Sequence, residues 1–350
     1  MRIGLIARAD NTGLGNQTYE FYRHMKPHKT MVVDISHLNG NINHFDRYPD
    51  GQVIQGFPKS HNIDEFLQDL DVVFVAESPY NYYLYQRARE LGVKTAVQYN
   101  YEFFDWYSHP NLPTPDMLIA PSRWHYDKVE EFCKERDIKH VYLHCPVNRE
   151  ALPFVEKRQA RKLLHVAGKP AAWDRNGTES VLDAMEFINE DVEVYITVQS
   201  PKYMEDWIKR GKGSPKLHFL DTSTLADYTQ LYKDMDVMLL PRRYGGNCLP
   251  LNEALSTGMP VIMPDVSPNN MLLPPMWLIP AQKVGEFKPR MIVDIMGVNP
   301  LDLAHKIDEM ARDTENAVHN SRVADAIAKQ IDWKFMEPMY REALESLCVK

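Results

Sequence analysis

The chain has 350 residues, 44% of them hydrophobic and 25% charged, with a net charge of −8 at neutral pH. That length exceeds one ordinary core and predicts two domains. The acidic balance argues against a long polyphosphate footprint, and no apolar run reaches the length of a membrane span, so no stable membrane insertion is expected. Four cysteines (Cys133, Cys145, Cys248, Cys348) stand far apart without a CxxC pair. They read as reduced thiols of a cytoplasmic protein, not as a disulfide frame or a zinc site. Met1-Arg2 is expected to lead directly into a strand, and no signal peptide is predicted.

Strands are predicted at Arg2–Ala7, Met31–Ser36, Asp71–Glu77, Lys94–Asn100, Met117–Pro121 and His140–His144. A second series follows at Lys162–Ala167, Val192–Val198, Leu217–Leu220, Asp236–Leu240, Val261–Pro264 and Met276–Ile279. Runs such as Val72-Val73-Phe74-Val75-Ala76 are apolar throughout, as in strands buried on both faces of a parallel sheet. Helical stretches between them imply right-handed βαβ units. The pattern restarts at Lys162, after the loop-rich Cys145-Pro146-Val147-Asn148 and the charged Glu156-Lys157-Arg158. The fold class is therefore α/β, with two doubly wound Rossmann-like domains facing a central cleft, residues 1–150 and 151–325. Residues 326–350 carry a last amphipathic helix that opens around Asp332-Trp333-Lys334. Ligands of such folds bind at the carboxyl ends of the strands.

After the first strand comes Asn11-Thr12-Gly13-Leu14-Gly15-Asn16-Gln17-Thr18. Gly13 and Gly15, at a helix start, can admit a phosphate or a hydroxyl. Gly13-x-Gly15-x-x-Thr18 with Asp34 also resembles a dinucleotide fingerprint. Thr18 in place of the third glycine, and the long loop from Ala7, lower that oxidoreductase reading. The basic group Arg23, His24, Lys26, His28 and Lys29 reads first as a solvated helix end. After the fourth strand, Tyr101-Glu102-Phe103-Phe104-Asp105 carries the carboxylates Glu102 and Asp105. Asp69-Leu70-Asp71 and Asp234-Met235-Asp236 precede apolar strands and read as turn material. No His/Cys cluster has zinc spacing, and no metal is expected.

The densest signal lies at residues 241–254. The strand Asp236–Leu240 runs into Arg242, Arg243, Tyr244, Gly245, Gly246 and Asn247, and a helix follows with Pro250 in its first turn. Paired glycines let backbone N–H groups approach a ligand, and the helix start supplies more N–H groups and a positive dipole end. Glu253, one turn in, suits sugar hydroxyls.

Leu249-Pro250-Leu251-Asn252-Glu253-Ala254-Leu255-Ser256-Thr257-Gly258-Met259-Pro260-Val261-Ile262 resembles the donor signature of the group 1 retaining glycosyltransferases of GT-B fold, roughly E-G-F-G-L-P-x-x-E-A-x-A-x-G-x-P-V-I. The resemblance implies that Glu253 holds the nucleotide ribose and that Arg242, Tyr244, Gly245, Gly246, Asn247, Leu251 and Asn252 line the donor. Gly245 stands where the family has its first Glu, the donor-sugar contact. The family's two diphosphate cations fall on Lys169 and Arg175, with Lys and Arg exchanged. Where relatives carry a His followed by an acid, this chain has Tyr101-Glu102, leaving Glu102 and Asp105 as the first-domain carboxylates. The last helix crosses back to the first domain in such proteins.

The resemblance implies transfer of a sugar from a nucleotide-sugar co-substrate, with retention, no metal and no further cofactor. The acceptor stays open among protein, glycan, modified nucleobase and small molecule. Alternatives are a sugar-nucleotide-binding protein with altered catalysis, an epimerase of the same fold and, less favoured, an NAD-type oxidoreductase.

Overall fold

The computed structural model describes residues 1–168, 173–199, 201–211, 213–222, 227 and 229–349, with the backbone alone at 201–203. The chain divides into two compact units. The first comprises Met1–Cys145, Pro289–Met291 and Trp333–Lys350; the second comprises Pro146–Lys288 and Ile292–Asp332.

The first unit is built on seven strands: β1 (Ile3–Ala7), β2 (Lys29–Asp34), β3 (Gln52–Gln55), β4 (Val72–Ala76), β5 (Lys94–Gln98), β6 (Met117–Ala120) and β7 (Lys139–Tyr142). They lie in the order β3-β2-β1-β4-β5-β6-β7, all parallel. Strands β1 and β4 are buried along their whole length, as their unbroken apolar runs demand. The chain order reverses between β1 and β4, so their carboxyl ends open the crevice where ligands of such sheets bind.

Helix Trp333–Cys348 belongs to this unit. Its buried face carries Trp333, Met336, Tyr340 and Leu344. Phe21 and Phe74 stack at 3.9 Å, and the Tyr340 ring meets Phe74 edge-on at 6.3 Å. Gln98 donates to the Tyr340 hydroxyl at 2.9 Å, so this aromatic wedge buries no unmatched phenol.

The second unit carries six strands: β8 (Lys162–Gly168), β9 (Glu193–Val198), β10 (Leu217–Asp221), β11 (Val237–Leu239), β12 (Val261–Pro264) and β13 (Leu278–Ile279). Their order is β10-β9-β8-β11-β12-β13, again all parallel. Here the switch falls between β8 and β11. Asp236 fixes the entry to β8 by accepting from the Arg161 and Lys162 amides, both at 2.9 Å. An antiparallel hairpin, β14 (Ala281–Phe287) with β15 (Val293–Val298), completes the unit.

Strand β3 and the β14–β15 hairpin are absent from the sequence reading. Three of the four residues of β3 are exposed, and β14 has no fully buried residue. Neither segment carries the apolar run on which the reading relied. Among the described residues, no helix is long and apolar enough to cross a membrane.

Candidate functional site

The carboxyl ends of β8 and β11 bring together two segments about seventy residues apart in sequence. Asn176 donates to the carbonyls of Val166 and Ala167 at 3.1 and 3.0 Å, which ties the segment after β8 back onto the strand end. Asp174 caps the helix that follows, accepting from the Thr178 and Glu179 amides at 3.1 and 2.8 Å. The Arg243 amide donates to the Arg175 carbonyl at 2.8 Å, which joins the two segments. Beneath them His165 is fully enclosed, with Nδ1 2.8 Å from the Leu239 carbonyl and Nε2 2.8 Å from the Thr178 hydroxyl. Burial lowers its pKa from the ordinary value, although the Leu239 carbonyl pulls the other way, so the ring is neutral.

Gly245 explains the loop. Its φ is +111°, and a Cβ there would lie 2.4 Å from a terminal nitrogen of Arg242 and 3.0 Å from one of Arg175. Two guanidinium groups therefore converge on the space that a side chain at 245 would need. Arg242 is 7% exposed and faces inward: Nε donates to the Tyr244 carbonyl and a terminal nitrogen to the Asn247 carbonyl, both at 2.9 Å. It staples the loop. Arg175 is only half-buried, and its guanidinium lies 5.1 Å from the centre of the Tyr244 ring, within cation–π range. Tyr244 meets Phe287 edge-on at 4.7 Å. Arg243 donates to the carbonyls of Trp173 and Met296 at 3.0 and 3.3 Å, a structural use of its charge.

Helix Leu249–Ser256 begins just beyond Gly246 and Asn247. Its N-cap residue, Cys248, makes no side-chain capping bond, and Pro250 sits in the first turn. Leu251, Asn252 and Glu253 are buried. The Tyr232 hydroxyl, itself buried, donates to the Glu253 carboxylate and fixes its rotamer. The arrangement gathers the half-buried cation Arg175, a glycine loop, a helix start and an oriented acid one turn in, and cations with helix-start amides are groups that attract an anion. Lys169 lies outside the described residues. Sequence reasoning did not find Tyr232 or His165, because neither sits in a glycine loop or beside a charge motif.

In the first unit the Gly13–Gly15 loop is closed on itself. A Cβ at Gly15 would lie 1.9 Å from the Asp10 carbonyl oxygen, so glycine is required for packing. Thr12 caps helix Gly13–Met25, accepting from the Gly15 amide at 3.3 Å. The buried Asp10 carboxylate is paired with Arg8 and accepts from Asn41 at 2.8 Å. Burial alone would raise its pKa, but the Thr12 hydroxyl and Arg8 outweigh it and hold the carboxyl below its ordinary value. A carboxylate thus already occupies the neighbourhood of this helix start. Thr18 is buried between Arg8 and Tyr48, and Asp34 accepts from Ser36 and Asn43 at 2.9 and 2.7 Å. The basic group at 23–29 is used locally: Arg23 and His24 face Glu20, and Lys29 donates to the Gln68 carbonyl at 2.6 Å.

Glu102 and Asp105 are both buried, on consecutive short 3-10 turns after β5. The Glu102 carbonyl accepts from the Arg290 amide at 3.2 Å. Asp105 accepts from the Tyr82 hydroxyl at 2.7 Å and pairs with Arg290 at 2.5 Å. Among the described residues, no group of three or more His, Cys, Asp and Glu is placed to hold a metal ion.

Residues 160–292 match the family model described as Glycosyl transferases group 1. No curated protein sequence matches significantly. Among solved structures, Anabaena HepE in complex with UDP is similar over 99% of this chain and 100% of its own, with a TM-score of 0.73 at 14% identity. Sucrose-phosphate synthase from Thermosynechococcus elongatus is similar over 99% and 100%, at a TM-score of 0.67 and 14% identity. The pneumococcal O-GlcNAc transferase GtfA, with UDP and GlcNAc, covers 83% of this chain and 60% of its own, at a TM-score of 0.62 and 16% identity.

The two parallel-sheet units are those of the GT-B fold. The match to the group 1 glycosyltransferase model falls within the second unit, and the likeness of the whole chain to these structures is one of fold.

Proposed function

We propose that this protein moves a sugar from a uridine-diphosphate donor to an acceptor hydroxyl, with retention of anomeric configuration and without an essential metal. The observation that carries the reading is the convergence of Arg175 and Arg242 on Gly245, beside an uncapped helix start and the Tyr232-oriented Glu253. The bond between the anomeric carbon and the β-phosphate oxygen breaks. A bond from the same carbon to the acceptor oxygen forms on the same face. The acceptor proton passes to the departing phosphate oxygen, so the balance is glycoside plus nucleoside diphosphate. Arg175, with Lys169, carries the charge that a metal would otherwise supply to the leaving group. Arg242 acts one step back, by holding the loop amides of Gly245 and Gly246 in place. Glu253 receives the ribose hydroxyls.

The choice of uridine diphosphate draws on HepE solved with UDP-glucose and GtfA solved with UDP and GlcNAc. The first unit takes the acceptor side, with Glu102 and Asp105 as its carboxylates. The four cysteines form no disulfide, and three of them are buried, which supports a cytoplasmic setting. The test is incubation with UDP-sugars and acceptors, following UDP release and the anomeric configuration of the product by NMR. Acceptor-dependent release with retention supports the reading; an inverted product refutes the retaining step. A second reading, donor binding without turnover, is favoured by the filled space at Gly245 where the family's donor-sugar acid stands. UDP binding without release under any acceptor selects it.

A further inference from the structure

The loops leaving β3, β4 and β5, together with Arg290 from the turn between β14 and β15, line an open cavity of about 490 Å³ at the carboxyl edge of the first sheet. That volume lies within the range of small-molecule sites. At its mouth stands Phe57, 54% exposed, its ring 6.3 Å from that of Tyr80 and tilted 26° from it. An exposed phenylalanine on a loop gains nothing from water, and here it extends an aromatic platform. Tyr80 holds a positive φ of 61°, a strained setting of the kind that clusters at ligand sites.

The polar side of the cavity is a chain of groups with fixed roles. The Tyr82 hydroxyl donates to one Asp105 oxygen at 2.7 Å, and Arg290 donates to the other at 2.5 Å. The Asp105 side chain is only 11% exposed, whereas that of Arg290 is 51% exposed, so further guanidinium N–H groups face solvent. Exposed His109 adds a ring that both donates and accepts. Because Arg290 and Asp105 neutralise each other, the cavity offers no net charge to a phosphate or carboxylate. It offers ring faces and alternating donors and acceptors, which match the apolar face and vicinal hydroxyls of a sugar ring.

We propose that this cavity binds a neutral pyranose, making the acceptor a saccharide, either free or at the end of a longer glycan. The inference rests on the transferase reading above for the word acceptor; the binding itself does not.

The experiment is saturation-transfer-difference NMR on the full chain, without donor. The probes are methyl glycosides of glucose, galactose and N-acetylglucosamine, and a trisaccharide. At least one probe is expected to show transfer to its ring C–H protons. Phe57→Ala and His109→Ala, both at exposed positions, are expected to weaken that probe about two- to ten-fold, the scale of an aromatic contact. Circular dichroism and the thermal midpoint verify that each variant is folded. Trisaccharide signal confined to its terminal sugar identifies a glycan end. Signal from the methyl glycosides alone identifies a free sugar. Absence of signal from every probe, or signal unchanged in both folded variants, overturns the proposal. UDP titration of the same sample reads the donor seat separately, so either idea can fail without the other.

Discussion

Gly245→Ala is the substitution whose cost the structure specifies best. The new Cβ would sit 2.4 Å from Arg242 and 3.0 Å from Arg175, at a φ of +111°. The backbone term alone is about 1–3 kcal/mol for a non-glycine residue in such a region. The atoms it meets are the tips of side chains, which can normally swing away. Arg242 cannot do so cheaply: it is 7% exposed and holds two loop carbonyls at 2.9 Å. Breaking one such charge-assisted bond costs about 1.5–3 kcal/mol. The sum is roughly 2.5–6 kcal/mol, a large share of an ordinary domain's roughly 5–15 kcal/mol. Urea unfolding, with fluorescence and far-ultraviolet circular dichroism as separate probes, measures it. The Arg242→Ala background isolates the cause, because there the collision with Arg242 is gone and only the backbone cost and the milder contact with Arg175 should remain. A loss below about 0.5 kcal/mol for Gly245→Ala, the scale of an indifferent surface change, refutes the reasoning. So does an equal loss in both backgrounds.

Tyr232→Phe removes the hydroxyl that orients Glu253; UDP affinity by calorimetry should fall about five- to thirty-fold, from the loss of about 1–2 kcal/mol. His165 is buried neutral, with its folded pKa below the unfolded value. Its contribution is therefore complete above about pH 6.5 and declines as pH falls below it, by about 1.4 kcal/mol per pH unit. His165→Gln should remove that share of the acid slope in pH-dependent unfolding, while His140, whose pKa is also lowered by burial, keeps its own. An unchanged slope contradicts the neutral assignment. Burial raises the Cys133 thiol to about 12, and Cys145 and Cys248 are buried too, so native alkylation should modify Cys348 first. Mass spectrometry of a brief labelling reaction reads the order.

The sheets were legible because burial on both faces forces continuous apolar runs, as at Val72–Ala76 and Val237–Leu239. Strand β3, with the sequence Gln-Val-Ile-Gln, pairs only on one side and has a single buried residue, so nothing in its composition separates it from a loop. The β14–β15 hairpin is held by pairing with itself, and its Lys283 bridges Glu286 and Asp294, charges that read locally as surface. At the site, Glu253 and the glycine pair stood out because a motif is a local string. The reasons for them are not local. Gly245 is glycine because Arg175, seventy positions earlier, reaches the same space as Arg242. Glu253 is oriented by Tyr232, twenty-one positions before it. Gly15 is the converse case: a glycine loop at a helix start that suggested a phosphate, yet is glycine because the helix presses on the Asp10 carbonyl.

Calorimetric titration of UDP into the wild-type chain, Arg175→Ala and Glu253→Ala tests the donor seat most directly. The geometry predicts binding by the wild type and a loss of about ten-fold or more in each variant, the value of one charged contact. Wild-type protein that ignores UDP, or variants that bind it as tightly as the wild type, contradicts the assignment.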